Sequence, residues 1–283
     1  PTVNDGIIGR ELTVGPSDGL IVLRPLKTIS GVPFENGIFA RVFNAQGQSV
    51  RAGFFAFDRS ERSGVTIASV DIDGDDRSER VRVGARGEVQ VIGPVGPVRQ
   101  IGPIGRDLVI AIGDLTHDGV KEVVVASAGQ VWVYRVDGTL LVGPFAPFGP
   151  RYRGAVSVGV GDLNGDGFSE IVTGAGKGGG PQVRIFDRTG RLLSGGFFAY
   201  DPRFRGGVRI SVGDTDGDGI SEIVTGPGVG GGPQIRIFDG KGRAIGPGFF
   251  AFDRAGREGA TPLVVDVDGD GRNEILALTK EVL

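Results

Sequence analysis

The chain has 283 residues, a formal charge of −3, and 53 glycines with 16 prolines, so about a quarter of it is turn-forming. That composition excludes a helical protein, while spaced Val, Ile and Phe runs exclude disorder. With no cysteine there is no disulfide, zinc-thiolate site or thiol catalysis, and no apolar run approaches the ~18 residues of a membrane-spanning helix.

Residues 1–29 read as an N-terminal extension, or as degenerate strands if 12–16 and 20–26 form a hairpin of their own. From residue 30 a repeat begins. A half-unit runs from Ala40-Arg-Val-Phe-Asn44 to Phe54-Phe-Ala-Phe-Asp58. Full units follow at about 61–105, 106–153, 154–205 and 206–257, and the chain closes with a second half-unit, 258–283. The third and fourth full units align without a gap at an offset of 52: Gly178-Gly-Gly-Pro-Gln-Val-Arg-Ile-Phe-Asp187 faces Gly230-Gly-Gly-Pro-Gln-Ile-Arg-Ile-Phe-Asp239. Each unit holds about four short Val/Ile-rich runs. In the fourth they are 208–213, 222–226, 234–239 and 243–252, parted by an acidic loop, a Gly/Pro stretch and a Gly-Lys-Gly turn.

The acidic loop occurs five times, at 71–79, 114–122, 162–170, 214–222 and 266–274. Side-chain oxygens fall at positions 1, 3, 5 and 9, and Gly at position 6 in four of the five. Alternate residues of a tight loop point one way, so three short ligands can close on one point. The Gly turn brings the position-7 carbonyl and the distal Glu to the same place. This oxygen-only set of six to eight donors suits Ca²⁺ better than Mg²⁺. The expected ligands are Asp71, Asp73, Asp75, Arg77 and Glu79; Asp114, Thr116, Asp118, Val120 and Glu122; Asp162, Asn164, Asp166, Phe168 and Glu170; Asp214, Asp216, Asp218, Ile220 and Glu222; and Asp266, Asp268, Asp270, Arg272 and Glu274. Arg77, Val120, Phe168, Ile220 and Arg272 would contribute their carbonyls. The loop ligand positions use 18 of the 34 acidic residues, and five bound Ca²⁺ would take the formal charge from −3 to +7. Without metal the packed carboxylates repel, so the ion is expected to be part of the fold.

Four antiparallel strands per ~45–52 residues is the size of a β-propeller blade, in which radial packing buries faces that one unit cannot bury alone. The expected fold is therefore all-β, a propeller of five or six four-stranded antiparallel blades. One blade is built from both ends of the chain, so that pairing of N- and C-terminal strands closes the ring. A calcium-loaded β-solenoid is the rival, but its rungs are much shorter.

The units resemble FG-GAP/VCBS-type repeats, the blades of the integrin α-subunit head and of many bacterial surface proteins. The matching motif is Asp-x-Asp/Asn-x-Asp-Gly-x-x-Asp/Glu followed by a hydrophobic pair and Gly-x-Gly, here 162–170 with Ile171-Val172 and Gly174-Ala175-Gly176. The resemblance covers roughly 30–283. It implies a calcium loop between the first two strands of each blade. Asp76 in place of Gly, Thr116 at position 3 and the lack of an acidic loop near the N-terminus depart from the pattern.

Other features read mainly as structure. The Gly-Gly-Gly-Pro stretches lack the Gly-Lys-Ser/Thr ending of a phosphate cradle and no helix follows, so they are tight crossings or rim loops. The Phe-Phe-Ala-Phe/Tyr-Asp motifs belong to blade-to-blade packing, with Asp58, Asp201 and Asp253 ordering the following turns. Arg151, Arg153, Arg203, Arg205 and Arg257 recur at unit boundaries. They either pair with acidic neighbours or form a rim that binds an anionic glycan. Catalysis has little support, since the one histidine, His117, lies at position 4 of an acidic loop and Gly-x-Ser-x-Gly is absent.

The expected protein is an extracellular or cell-surface, calcium-stabilised binding or adhesion module, bacterial and cut from a larger polypeptide. The absence of Met and the leading Pro favour a processed chain. Its partner would be an acidic glycan or another surface protein, with no nucleic acid and no membrane insertion. The alternatives are an architectural surface-layer component, or the scaffold of a polysaccharide lyase or hydrolase.

Overall fold

The structure is a computed structural model, and it describes residues 20–23, 39–55, 66–70, 72–74, 79–83, 88–93, 99–103, 105, 108–266 and 272–279. Among these residues every regular element is a strand. No helix of the described residues is long and apolar enough to cross a membrane.

Strand β1 (Leu20–Leu23) is followed by the hairpin β2 (Phe39–Phe43) and β3 (Ser49–Phe55). Then come β4 (Thr66–Val70), β5 (Glu79–Val83), β6 (Val89–Ile92) and β7 (Arg99–Ile101), a meander that carries β1 antiparallel beside β4. The next meander is β8 (Val109–Gly113), β9 (Glu122–Ser127), β10 (Gln130–Tyr134) and β11 (Leu140–Phe145). Two closely matched sheets follow. One is β12 (Val156–Gly161), β13 (Glu170–Ala175), β14 (Gln182–Phe186) and β15 (Leu192–Phe198). The other is β16 (Val208–Gly213), β17 (Glu222–Pro227), β18 (Gln234–Phe238) and β19 (Phe249–Phe250). The last strands, β20 (Thr261–Val265) and β21 (Glu274–Thr279), do not stand alone. They join β2 and β3 in the order β20-β21-β2-β3, with Phe39 opposite Thr279 and Phe43 opposite Ile275. The last two strands of the described chain thus share one sheet with its second and third strands.

The expected strands of the fourth unit recur, except that 243–252 shrinks to a bridge at Ala244 and the two residues of β19. Gly246 and Gly248 take φ of +71° and +72° around Pro247, which lacks an N–H, so the ladder breaks there. The sister segment has no proline and runs unbroken as β15.

The second strand of each full sheet is buried on both faces, as in Glu122–Ser127, Glu170–Ala175 and Glu222–Pro227. Strands buried this way read as continuous apolar runs because neighbouring sheets cover both sides. Apolar clusters fill the interfaces in chain order. Ile110, Val123 and Val125 pack on Val81 and Val89, Val158 and Ile171 on Val124 and Val131, and Ile210 and Ile223 on Val172 and Val183. Ile275 and Ala277 then pack on Val224 and Ile235.

Repeated staples fix successive sheets to one another from β8–β11 onward. An aromatic from the last strand of one sheet meets the third-strand Phe of the following sheet: Phe145 with Phe186, Phe197 with Phe238 and Phe249 with Phe43, at centroid distances of 5.0, 4.7 and 4.8 Å. A third-strand arginine reaches back to a carbonyl of the preceding sheet. Arg184 donates to Pro147 O (2.7 Å), Arg236 to Ala199 O (2.5 Å) and Arg41 to Ala251 O (3.2 Å). First strands are joined by Ile210 N–H donating to Ser157 Oγ and Val264 N–H donating to Ser211 Oγ, each 2.9 Å. Four-stranded meanders stacked face to face in chain order, first strand against first strand, are the arrangement of successive propeller blades.

Candidate metal centres

Each acidic loop joins the first strand of a sheet to the second, and its position-9 Glu is the first residue of that second strand. Loops 114–122, 162–170 and 214–222 are described throughout. Of the other expected ligands, Asp71, Asp75, Arg77, Asp268 and Asp270 lie outside the described residues, while Asp73, Glu79, Asp266, Arg272 and Glu274 lie within them.

The position-1 Asp organises the turn. Asp162 accepts from the backbone N–H of Asn164, Gly165 and Gly167 at 3.1, 2.7 and 2.8 Å, and Asp214 accepts from Asp216, Gly217 and Gly219 at 3.3, 2.6 and 2.8 Å. Asp114 does the same for His117, Asp118 and Gly119. Burial pushes the Asp162 carboxyl up, but these N–H donors outweigh it and hold it below the usual carboxylate range. The position-5 Asp accepts the position-7 N–H in all three loops: Asp118 from Val120 (3.0 Å), Asp166 from Phe168 (2.9 Å) and Asp218 from Ile220 (2.8 Å). Position 4 needs a left-handed backbone. Gly74, Gly165 and Gly217 sit at φ +80°, +76° and +81°, and His117 adopts +57° at the same place. Its ring is exposed and lies edge-on to Phe168, so it serves the turn.

The position-9 Glu has a second duty that ligand spacing alone does not reveal. Its Oε2 accepts the position-2 N–H across the loop: Glu79 from Ile72 (3.1 Å), Glu122 from Leu115 (2.9 Å), Glu170 from Leu163 (2.9 Å) and Glu222 from Thr215 (2.8 Å). All four glutamates are buried. Burial pushes the carboxyls of Glu122, Glu170 and Glu222 above their ordinary value, and the loop aspartates beside each raise it further. Each position therefore favours a nearby positive charge.

Among the described residues, Asp214, Asp216 and Asp218 bring three carboxylate oxygens within 4.8 Å of one another, and Glu222 stays outside that group, clasping Thr215. In loop 162–170 the third short ligand is Asn164, whose Nδ2 donates to Glu170 Oε1 at 2.9 Å. In loop 114–122 it is Thr116, whose Oγ1 lies 3.4 Å from Glu122 Oε1. The donor set of loop 214–222 fits a hard divalent cation held by Asp214, Asp216 and Asp218.

The loops are also chained. Lys121 N–H donates to Ile72 O (2.8 Å), Ser221 N–H to Asp162 O (2.7 Å) and Asn273 N–H to Asp214 O (3.1 Å). The loops therefore form a row along one rim, together with the third-to-fourth-strand hairpins. Arg135 of one such hairpin ion-pairs with Asp118 at 3.5 Å.

The glycine stretches and the boundary arginines occupy the opposite rim, where Gly178 N–H donates to Arg205 O and Gly230 N–H to Arg257 O. Arg153, Arg205 and Arg257 are exposed but turn Nη1 onto carbonyls of their own loops, Pro150, Pro202 and Arg254 among them. Arg203 forks onto Asp201, which holds that carboxyl down at about 2, and Arg151 is exposed. The aromatic motif splits. Ala199 and Ala251 are fully buried, Phe198 and Phe250 are exposed, and the hydroxyl of the half-buried Tyr200 donates to Gln234 O at 2.7 Å and lies 2.9 Å from Thr225 O. The third-strand arginines Arg41, Arg184 and Arg236 were not anticipated as inter-sheet ties. Their signal was recurrence of Arg two residues before the third-strand Phe, in Val-Arg-Ile-Phe, Ile-Arg-Ile-Phe and Ala-Arg-Val-Phe.

No curated protein sequence matches the chain. Among solved structures, it is similar to a lectin of Agrocybe aegerita studied for its recognition of non-reducing terminal N-acetylglucosamine. The identity is 18% over 92% of this chain and 74% of that one, with a TM-score of 0.49. It is also similar to the Photorhabdus luminescens Tc holotoxin pore, at 15% identity over 92% of this chain and 14% of that one, with a TM-score of 0.42. The family model described as FG-GAP-like repeat matches residues 98–173, which run from β7 through β12 into β13 and include the complete loops 114–122 and 162–170, so the repeat family read from the motifs is the one this stretch carries.

Proposed function

We propose that the chain is a calcium-stabilised β-propeller of five or six blades, its sheets closed into a ring, acting outside the cell or on its surface as a binding or adhesion module and not as an enzyme. The observation that carries the reading is the convergence of Asp214, Asp216 and Asp218 within a loop form that occurs five times. Carboxylates gathered this closely destabilise the fold unless a cation offsets them. The ring is supported by the sheet shared between β20–β21 and β2–β3. An acidic glycan or another surface protein is the proposed partner, with the exposed guanidinium of Arg151 and the Arg203–Asp201 pair on one rim as the place for it.

An architectural role is the second reading. Leu140, Leu141 and Leu192 are exposed on outer strands, which favours lateral contact between copies. Sedimentation across a concentration series separates the two, since only the architectural protein self-associates without a soluble partner.

The calcium reading is tested by melting the protein in millimolar calcium and in chelator. A cation at a hundred times its dissociation constant adds ~2.7 kcal/mol per site, so the melting temperature should fall by many degrees on chelation. Identical melts would refute it.

A further inference from the structure

The acidic loops touch one another, and the contact repeats at fixed loop positions. Ser221, at position 8 of loop 214–222, donates its N–H to the carbonyl of Asp162, at position 1 of loop 162–170, at 2.7 Å. Asn273, at position 8 of loop 266–274, donates to the carbonyl of Asp214, at position 1 of loop 214–222. It does so through its N–H at 3.1 Å and again through Nδ2 at 2.9 Å. Position 7 adds a packing contact. A Cβ on Gly165 would lie 3.4 Å from Cγ1 of Ile220, and one on Gly217 would lie 3.1 Å from Cγ of Arg272. Each position-7 side chain thus covers the position-4 glycine of the preceding loop. Lys121 N–H reaches loop 71–79 in a similar way, one residue along, at Ile72 O (2.8 Å). Among the described residues the series is broken once. No backbone hydrogen bond joins Ser169 to loop 114–122, and that junction is spanned by the His117 ring, packed against Gly167 and edge-on to Phe168.

The peptide plane gives these bonds their consequence. The N–H of Ser221 and the C=O of Ile220 are two ends of one rigid trans peptide group, so they point in opposite directions. The position-7 carbonyl is the one that the loop pattern assigns to the cation. Holding the N–H on Asp162 O therefore fixes the direction of the Ile220 carbonyl, and charge drawn toward that carbonyl makes the N–H a stronger donor. At the other end, the Asp162 carboxylate gathers the N–H groups of Asn164, Gly165 and Gly167, so the place of Asp162 is set by the order of its own loop. Asp162, Ser221 and Ile220 form a continuous path between the ligand sets of two loops. Asp214, Asn273 and Arg272 repeat it between the next two.

We propose that loops 162–170, 214–222 and 266–274 form one cooperative calcium-binding unit, in which filling a loop raises the affinity of the loop beside it and Ser221 and Asn273 are the positioning residues of the links. The proposal rests on the reading of the loops as calcium sites. Carboxylates gathered as in Asp214, Asp216 and Asp218 repel one another, so a loop that loses its cation opens and gives up the bond to its neighbour. One such hydrogen bond is worth about fivefold in the neighbour's affinity, and linkage makes the effect equal in both directions. Loop 114–122 stands outside the unit, because the bond is missing at its junction with 162–170. The coupled rim would order itself over a narrow range of calcium concentration.

The test is a calcium titration of the whole chain carrying isotope-labelled glycine, followed by NMR at Gly119, Gly167 and Gly219. Each is the position-6 glycine of its loop and donates its N–H to the position-1 Asp, so each reports its own site. The variants D166N and D218N remove one ligand charge and keep an oxygen for the turn N–H. D218N is expected to weaken calcium binding read at Gly167 by about fivefold, and D166N to weaken it at Gly219 by the same factor. D118N, across the broken junction, should leave both within about twofold. Should the aspartate variants fold poorly, Asn273→Ala removes no ligand and is expected to weaken the site read at Gly219 by about threefold, with Gly119 unchanged. Titrations at Gly167 and Gly219 that ignore each other's variants overturn the coupling, as do unequal shifts in the two directions or an N273A chain that binds like wild type. Equal weakening by D118N makes the effect a general loss of stability and overturns it too. If no glycine responds to calcium, the calcium reading itself fails and the coupling falls with it.

Discussion

Val264 of the shared sheet stands over Gly213 of the preceding one, so close that a Cβ on Gly213 would lie 2.6 Å from Val264 Cγ1. The same fit recurs one sheet earlier, with Gly161 under Val212, and again with Gly113 under Val160. These glycines end the first strands, and none of the three has a positive φ. What they supply is room, letting each sheet wedge against its neighbour. Gly213→Ala should cost about 1–3 kcal/mol through overpacking, read as a lower melting temperature. Val264→Ala in the same molecule should recover part of that loss, because the offending methyl is gone. A double variant no better than the sum of the two singles would show that the glycine matters for another reason.

The loops should differ in affinity. Loop 214–222 gathers three short carboxylates, while loop 114–122 places Thr116 at position 3. Asp218 and Asp118 hold their turns alike, each through the N–H two residues on, so their alanine variants share a structural cost. The variant D218A should nevertheless lose more calcium-dependent stability than D118A, by about tenfold in the affinity of the weakened site. Terbium luminescence titration of the two variants reads this directly. Equal losses would make the extra carboxylate irrelevant.

The motifs in the sequence made the order of elements plain, because Val/Ile runs bounded by acidic loops and glycine stretches fall where strands form. The sheet that joins the last two strands to β2 and β3 was also legible, since one half-unit opens the repeat and its complement closes it. Three things were not. The break in 243–252 depends on Pro247 acting together with the left-handed Gly246 and Gly248, whereas the sister segment, which lacks proline, remains one strand despite register shifts against β14. The clasp from Glu222 to Thr215 N–H is invisible to ligand spacing, which assigns the carboxylate to metal and asks nothing about the orphan N–H opposite. Arg184 and Arg236 alternate as though solvent-facing, and only the neighbouring sheet shows that their guanidinium groups end on Pro147 O and Ala199 O.

The shared sheet makes a test of its own. Val42 faces Leu276 across β2 and β21, and both are almost fully buried. Removing 262–283 would uncover the whole edge of β2, an open strand ready to pair with another chain. The truncated protein should aggregate or elute as oligomers on size exclusion, whereas the single change Leu276→Ala should leave a monomer destabilised by about 2–5 kcal/mol. A truncated chain that remains monomeric and melts like the full one would show that the β2–β21 pairing contributes little.

The hairpin carboxylate Asp187 supplies a pH test independent of the metal loops. Partial burial pushes it up, but the hydroxyl of Thr189, the Arg191 side chain and the two backbone N–H groups of those residues outweigh this and bring it down to about 2. The contacts are short: Thr189 Oγ1 at 2.6 Å, Thr189 N at 2.9 Å, Arg191 Nε at 2.9 Å and Arg191 N at 3.0 Å. A carboxylate whose folded value lies below its unfolded 3.8 stabilises the fold fully above 3.8, and that contribution is lost as the pH falls toward 2. Arg191 is largely exposed, so most of the effect resides in the local hydrogen bonds and little in the ion pair. Asp187→Asn should therefore lower the melting temperature at neutral pH, and the gap from wild type should close between pH 4 and pH 2 (about the window set by the two values). Comparing variant with wild type at each pH cancels the titration of the acidic loops, which both share. A gap that stays constant down to pH 2 would mean that the charge on Asp187 does not hold the hairpin. A gap that widens on acidification would reverse the sign of the linkage and refute the lowered value.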